Sequence, residues 1–322
     1  MKTKPKIVVL IPCYNEEVTI AQTVSGMRAA LPDADIHVYD NNSTDNTVAQ
    51  AQGAGAIIRV EKNQGKGNVI RRMFADIEAD AYLMVDGDNT YDASAAPGLI
   101  RLVLEDGIDF VNGARRESSV KAYRTGHKFG NYVLTMLVRK IFGEVFTDML
   151  SGYKCFSRRY VKSFPALSHG FEIETELTIH ALELRMPCQE LTTRYGERPE
   201  GSASKLKTYQ DGLRILITIL RLVKEERPLQ LFTSIGVFLI VLAFAIAIPI
   251  FNTYFHTGLV PRLPTALLST GLVILGSLSI VMAVIMDSIV TARQEIKRIA
   301  YLGIPLFSFS NARSNSEAKT QE

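Results

Sequence analysis

Asp86-Gly87-Asp88 places two carboxylates at i and i+2, directly after the apolar run Ala81 to Val85. A strand ending there sends both acids out together, where they can share one divalent cation. Mg2+ or Mn2+ held by one or two carboxylates keeps coordination positions for the oxygens of a diphosphate. Gly87 between them lets the backbone approach a ligand closely. With Asn89 and Asp92 nearby, the same letters also describe a solvated acidic turn. The position at a strand end favours the metal, with Asp86 and Asp88 as its ligands. Two other phosphate loops are absent. Gly65-Lys66-Gly67 lacks the leading glycine and the hydroxyl residue of a P-loop, and no G-x-G-x-x-G follows the first strand. Gly65 to Asn68 reads either as a helix start beside a phosphate or as a plain loop cap.

The elements that must carry these residues alternate. Lys6 to Ile11, Ile36 to Tyr39, Ala56 to Val60 and Ala81 to Val85 are short apolar runs rich in branched residues, as buried strands are. Between them lie helical patterns over about 17–30 and 67–79, and the turn Asn42 to Thr47, rich in N-cap types, opens another helix. Strand–helix alternation predicts an α/β fold with a mostly parallel sheet and helices on both faces. Ligands of such sheets bind beyond the carboxyl ends of the strands. Residues 12–17, 40–45 and 86–92, where the polar clusters fall, are therefore the expected rim.

Composition narrows the class. With 322 residues, 47% hydrophobic and a net charge of +3, the chain can bury a full core and is not a disordered segment. So small an excess of base does not point to a nucleic acid. Three cysteines without a C-x-x-C spacing argue against a disulfide scaffold or a cysteine zinc site. Leu229 to Phe251 is 23 residues without a formal charge, and Leu263 to Met286 another 24. Each could cross a hydrocarbon core of about 30 Å as a helix. Arg221, Lys224 and Arg227 flank one end, and Arg293, Lys297 and Arg298 the other, whereas the connecting loop carries Arg262 alone. The positive-inside rule then predicts a hairpin with both flanks cytoplasmic in an inner membrane. The expected organisation is an α/β domain over 1–206 and an amphipathic juxtamembrane helix over 207–228. Two membrane helices follow, over about 229–251 and 263–288, and then a polar cytoplasmic tail over 291–322. Gly236, Gly271 and Gly276 offer faces on which copies of the chain could pack as a homo-oligomer.

Taken in order, Pro12-Cys-Tyr-Asn-Glu-Glu17, Asp40-Asn-Asn-Ser-Thr-Asp-Asn-Thr47, Gly65-Lys-Gly67 and Asp86-Gly-Asp88 resemble the successive motifs of family 2 inverting glycosyltransferases. Gly113-Ala-Arg115, Ser151-Gly-Tyr-Lys154, Phe171-Glu-Ile-Glu174 and Gly201-Ser-Ala-Ser-Lys-Leu206 resemble the polyprenol-phosphate sugar transferase branch. That branch includes dolichol-phosphate mannose synthases and bacterial undecaprenyl-phosphate glucosyltransferases. The likeness spans about residues 5–230, and it rests on order and spacing rather than on one motif.

The resemblance implies a GT-A nucleotide-diphospho-sugar domain and a role for each matching position. Pro12, Tyr14 and Glu16 would hold base and ribose; Asp40 would contact the base, and Val38 would do so through its backbone. Asp86, Gly87 and Asp88 would form the nucleotide and metal loop, with Arg115 beside metal and phosphates. Arg198 and Lys205 would close over the site from a loop, although their spacing departs by one residue from the dolichol branch. Glu174 matches a site-facing carboxylate, and a solvated acidic face with Glu172 and Glu176 is the competing reading. The implied reaction moves one hexose from a UDP- or GDP-sugar to polyprenyl phosphate. Such an acceptor is already an anion and needs cations more than a base. Of the basic residues Arg115, Arg116, Lys121, Arg124 and Lys128, we single out Arg124 and Lys128 as acceptor-phosphate candidates. Two alternatives stay open: transfer to the hydroxyl of a lipid-linked sugar, and a non-catalytic sugar-nucleotide scaffold. A processive synthase is excluded, because its Q-x-x-R-W motif needs a tryptophan and the chain has none.

Overall fold

Four apolar runs do become parallel strands in a computed structural model, which describes residues 4–117, 136, 138–139, 146–166, 172–196, 224 and 227–306. By contacts the chain divides into one unit of residues 1–215 with 297–322 and a second of residues 216–296.

In the first unit the order is β1 (Ile7–Cys13), α1 (Ile20–Ala30), β2 (Asp35–Asp40), α2 (Thr47–Gly53), β3 (Ile57–Val60), α3 (Lys66–Asp76) and β4 (Ala81–Met84). Then come α4 (Ala96–Leu104), β5 (Phe110–Glu117), β6 (Lys154–Ser157), α5 (Arg158–Ser163), α6 (Ile173–Glu183) and β7 (Cys188–Tyr195). They build a seven-stranded sheet in the order β3-β2-β1-β4-β6-β5-β7. β6 alone runs against its neighbours β4 and β5.

Val8, Val9, Leu10 and Ile11 have no exposed surface, so β1 is covered on both faces. On one face Ile20, Val24 and Met27 of α1, at helical spacing, join Leu99 and Val103 of α4 against Val9, Ile11 and Leu83. On the other, Phe74, Tyr82, Phe156, Phe164, Phe110 and Tyr160 form a chain of ring contacts. Ser157 starts α5 by accepting a hydrogen bond from the Tyr160 N–H at 3.2 Å.

Because β6 is antiparallel, its first residue lies beside the last residue of β4, with Lys154 opposite Met84. This brings Ser151 to Lys154 next to the Asp86–Asp88 loop from 65 residues further along the chain. At the opposite end of the sheet, Asp109 has no exposed surface. It accepts hydrogen bonds from Ser157 Oγ at 2.5 Å, Arg159 Nε at 2.5 Å and Tyr301 Oη at 2.7 Å. Lys297 also binds Glu183 at 2.6 Å. Residues 297–306 are thus part of this unit.

The second unit is built on α7 (Pro228–Thr257) and the apolar body of α8 (Leu263–Leu302). Both helices are long and apolar enough to cross a membrane. Phe238, Phe244, Ile248, Leu267, Leu275 and Leu278 are exposed, which marks the segment as membrane-associated. A Cβ on Gly236 would lie 2.6 Å from the Gly276 carbonyl, and one on Gly276 2.8 Å from that of Gly236. Ser269 and Ser279 hydroxyls reach across to the carbonyls of Ala243 and Phe232 at 2.9 and 2.8 Å. Two of the glycines expected to face other copies therefore close the hairpin itself. The helices also outrun their expected ends: α7 continues to Thr257, where Gly258 with φ 67 stops it. α8 runs to Leu302 and takes in the start of the segment read as a polar tail. The juxtamembrane segment 207–228 lies almost wholly outside the described residues.

Candidate active site

Three loops at the carboxyl ends of the strands are laced together by side chains. After β1, Asn15 donates its N–H to Ser43 Oγ at 2.9 Å, and its side-chain oxygen accepts from Thr44 N at 2.8 Å. Glu16 donates its N–H to Thr47 Oγ1 at 2.7 Å. After β2, the Asn41 amide donates to the carbonyls of Glu61 and Asn63 at 2.8 Å and accepts from Gly65 N at 2.7 Å. Asp40, buried at the end of β2, accepts from Ser43 N at 3.2 Å. Pro12, Tyr14 and Glu16 sit half-buried on this rim. The Val38 side chain does not reach it. It is fully buried and the backbone of Val38 is paired with Ile11 on one side and Ile58 on the other, so it belongs to the core.

The acidic loop is fixed from behind. The Gly87 carbonyl accepts from Thr19 Oγ1 at 2.9 Å and Thr23 Oγ1 at 3.2 Å, which ties the loop to α1. Asp88 is buried and accepts from Thr90 Oγ1 at 2.6 Å. Asp86 is more open and packs against Gly152, where an added Cβ would lie 2.0 Å from Asp86 Oδ2. Only glycine leaves that carboxylate its place. The Gly152 N–H donates to Tyr91 Oη at 2.7 Å, so the wall behind Asp86 is itself anchored.

Lys66, the first residue of α3, donates from Nζ to Asp86 Oδ1 and to Glu174 Oε1, both at 2.6 Å. Burial alone would depress its ammonium, but the two carboxylates outweigh that and hold its pKa above the ordinary value. Glu174, buried in the first turn of α6, is therefore a carboxylate paired with the lysine that also holds Asp86, not a solvated acid. Nearby, the Arg115 guanidinium grips Asp148 through two bonds of 2.6 and 2.7 Å and lies 5.4 Å from the Tyr195 ring centre. Burial raises the Asp148 carboxyl, and the Arg115 hydrogen bonds reverse this and leave it below the ordinary value. Lys154, fully buried, donates to Asn112 Oδ1 at 2.8 Å and Met149 O at 3.2 Å. Burial pulls its ammonium down to about 8. Asn112 donates in turn to Glu190 at 3.1 Å, and Glu190 also binds the Thr147 hydroxyl.

Two carboxylates from one strand end, with ammonium and guanidinium groups beside them, suit a cation-bridged diphosphate. Among the described residues no group of three His, Cys, Asp or Glu could hold a metal. The donor set of Asp86 and Asp88 fits Mg2+ or Mn2+, hard ions that take few protein oxygens and share the rest with phosphates. Residues 8–164 match the family described as glycosyl transferase family 2. The chain is 35% identical to the glycosyltransferase AglJ of Haloferax volcanii, over 73% of this chain and 78% of that protein. It belongs to glycosyl transferase family 2.

As a glycosyltransferase acting on nucleotide sugars, it is also 24% identical to the undecaprenyl-phosphate mannosyltransferase of Micrococcus luteus, over 62% of this chain and 86% of that one. Among solved structures it resembles glucosyl-3-phosphoglycerate synthase of Mycobacterium tuberculosis in complex with Mn2+ and UDP-glucose. The TM-score is 0.56 at 23% identity, over 68% of this chain and 79% of that chain. The shared architecture is the GT-A fold. Of the expected site residues, Asp86 and Asp88 follow the end of β4, Glu174 on α6 meets Asp86 through Lys66, and Arg115 on β5 binds Asp148. Arg124, Lys128, Arg198 and Lys205 lie outside the described residues. Lys66, Asp148, Gly152 and Lys154 were not assigned from the sequence. Lys66, Gly152 and Lys154 had signals in the Gly-Lys-Gly loop and the Ser-Gly-Tyr-Lys run, but only the folded chain shows what they touch.

Proposed function

We propose that the protein transfers one hexose, with inversion, from a nucleotide-diphosphate sugar to polyprenyl phosphate. In that reaction an acceptor phosphate oxygen bonds to the anomeric carbon. The bond from that carbon to the diphosphate breaks, and nucleoside diphosphate leaves with the electron pair. The observation that carries the reading is the Glu174–Lys66–Asp86 arrangement beside Arg115, on a chain that also has two membrane-length helices. Glu174 is paired with Lys66, which suits an acceptor that is already anionic and needs no strong base.

Asp88 and Asp86 would hold Mg2+ or Mn2+, which when bound supplies charge stabilisation for the leaving diphosphate. Lys66 and Arg115 would present cations to the same oxygens, and Asp148 fixes the Arg115 fork in direction. Pro12, Tyr14, Glu16 and Asp40 would receive base and ribose. Lys205 and Arg198 would close over the sugar, and Arg124 and Lys128 would take the acceptor phosphate. The hairpin would lie in an inner membrane with both chain ends cytoplasmic, as the basic flanks favour. Support for the lipid acceptor comes from the M. luteus relative, whose name carries that substrate.

The test is a product assay on the full chain in detergent, with undecaprenyl phosphate, Mn2+ and a mixture of UDP- and GDP-sugars, read by lipid mass spectrometry. A lipid heavier by one hexose, absent with EDTA, is the expected product. Nucleotide binding without lipid product would move the acceptor to a glycolipid hydroxyl. Neither binding nor product would leave the scaffold reading.

A further inference from the structure

Lys66 occupies an unusual position for a buried ammonium. It is nine-tenths buried, its side chain only 10% exposed, and it bridges Asp86 Oδ1 and Glu174 Oε1 at 2.6 Å each. The whole Asp86 carboxylate lies against Gly152, where an added Cβ would come 2.0 Å from Oδ2 and 2.8 Å from Oδ1. Asp86 Oδ1 is already bound to a cation of the protein's own. Asp86, Asp88 and Glu174 together carry three negative charges, and Lys66 cancels one of them.

We infer that Lys66 is an internal counter-ion that makes divalent-cation binding at Asp86 and Asp88 depend on the nucleotide. Without a nucleotide, an incoming cation competes with the ammonium for Asp86. A diphosphate changes both sides of that competition. It brings its own oxygens to the cation, and it offers the ammonium anionic partners in exchange for Asp86. Nucleotide and metal then favour each other's binding, a coupling that is reciprocal by linkage. The inference rests on the metal reading above and adds to it the order in which the site fills.

Removing the ammonium while keeping all three carboxylates should raise the cation affinity of the nucleotide-free protein. At an effective dielectric near 20, taking away one like charge beside the site is enough for about tenfold or more.

The experiment titrates Mn2+ into the full chain in detergent and reads free Mn2+ by electron paramagnetic resonance, without nucleotide and with UDP or GDP. Lys66→Gln and Lys66→Met should bind Mn2+ about tenfold more tightly than wild type without nucleotide, and should lose most of the gain that nucleotide confers. Glu174→Gln, which keeps Lys66 on Asp86 and removes a negative charge, should show no such gain. The inference is overturned if both Lys66 variants bind Mn2+ no more tightly than wild type while wild type still responds to nucleotide. It is equally overturned, whatever the variants do, if wild type binds Mn2+ as well without nucleotide as with it. A wild-type protein that holds no Mn2+ even with UDP or GDP would overturn the metal reading, and this inference with it.

Discussion

Asp88 and Gly152 act on the acidic loop from two sides and separate its chemistry from its packing. Asp88→Asn keeps an oxygen for the Thr90 hydroxyl, which binds at 2.6 Å, so the buried turn survives. What it removes is a negative oxygen ligand, and transfer should fall by more than about a hundredfold. Lipid mass spectrometry beside a thermal melt checks both halves; full activity in the variant would sink the metal assignment. Gly152→Ala is a different lesion. Its methyl would enter the space of the Asp86 carboxylate, 2.0 Å from Oδ2, and the backbone behind it is held by Tyr91. Asp86 must rotate away, so turnover should fall by about tenfold or more while nucleotide-free melting changes little. Unchanged turnover would mean that Asp86 has room the packing denies it.

Packing of α6 on α5 makes stability depend on pH. His180 is buried between the Tyr160 and Phe164 rings, at 5.4 and 5.3 Å, with one ring nitrogen 3.2 Å from Ser163 Oγ. Burial, reinforced by the Lys297 charge, lowers its pKa from 6.5 to about 3. Between those values the unfolded chain binds a proton that the folded chain does not. Its contribution is therefore complete above about pH 6.5 and is lost progressively as pH falls toward 3, a difference of about 2 kcal/mol by pH 5. His180→Phe keeps the ring contacts and removes the titration, so its melting temperature should fall less than that of wild type between pH 7.5 and 5. Parallel curves for the two proteins would show that His180 takes up its proton inside the fold.

The chain returns to its catalytic unit at the far end of α8. Asp109, fully buried, depends on three donors, and one of them is Tyr301, 192 residues away in sequence. Tyr301→Phe leaves an oxygen of that carboxylate without its hydroxyl partner, although the ring can still stack under Arg159, now 5.0 Å away. The cost should be about 1–3 kcal/mol of stability of this unit, read by denaturant unfolding in detergent. A variant as stable as wild type would show that the C-terminal segment only rests there. By the same contact, the folded catalytic unit includes the last turns of α8, and one cut off near residue 206 lacks part of its own polar core.

The α/β alternation, the rim at residues 12–17, 40–45 and 86–92, and the two apolar helices were legible in the sequence. Each is a local signal: an apolar run of strand length, a turn rich in capping residues, a charge-free stretch of membrane length. The acidic pair Asp86 and Asp88 was legible for the same reason, since its partner in spacing is its neighbour in sequence. The direction of β6 was not. A four-residue strand carries no mark of whether it runs with or against β4, and only that reversal brings Gly152 and Lys154 to the acidic loop. Nor could the sequence tell a solvated Glu174 from a buried one, because its partner Lys66 lies 108 residues earlier. Val38 shows a related gap: strand membership was visible, whereas its pairing with both β1 and β3 was not. The sequence determined which groups could do chemistry and roughly which elements carry them. The tertiary structure decided which of those groups meet, because long-range ion pairs form only where packing brings distant segments together and excludes water.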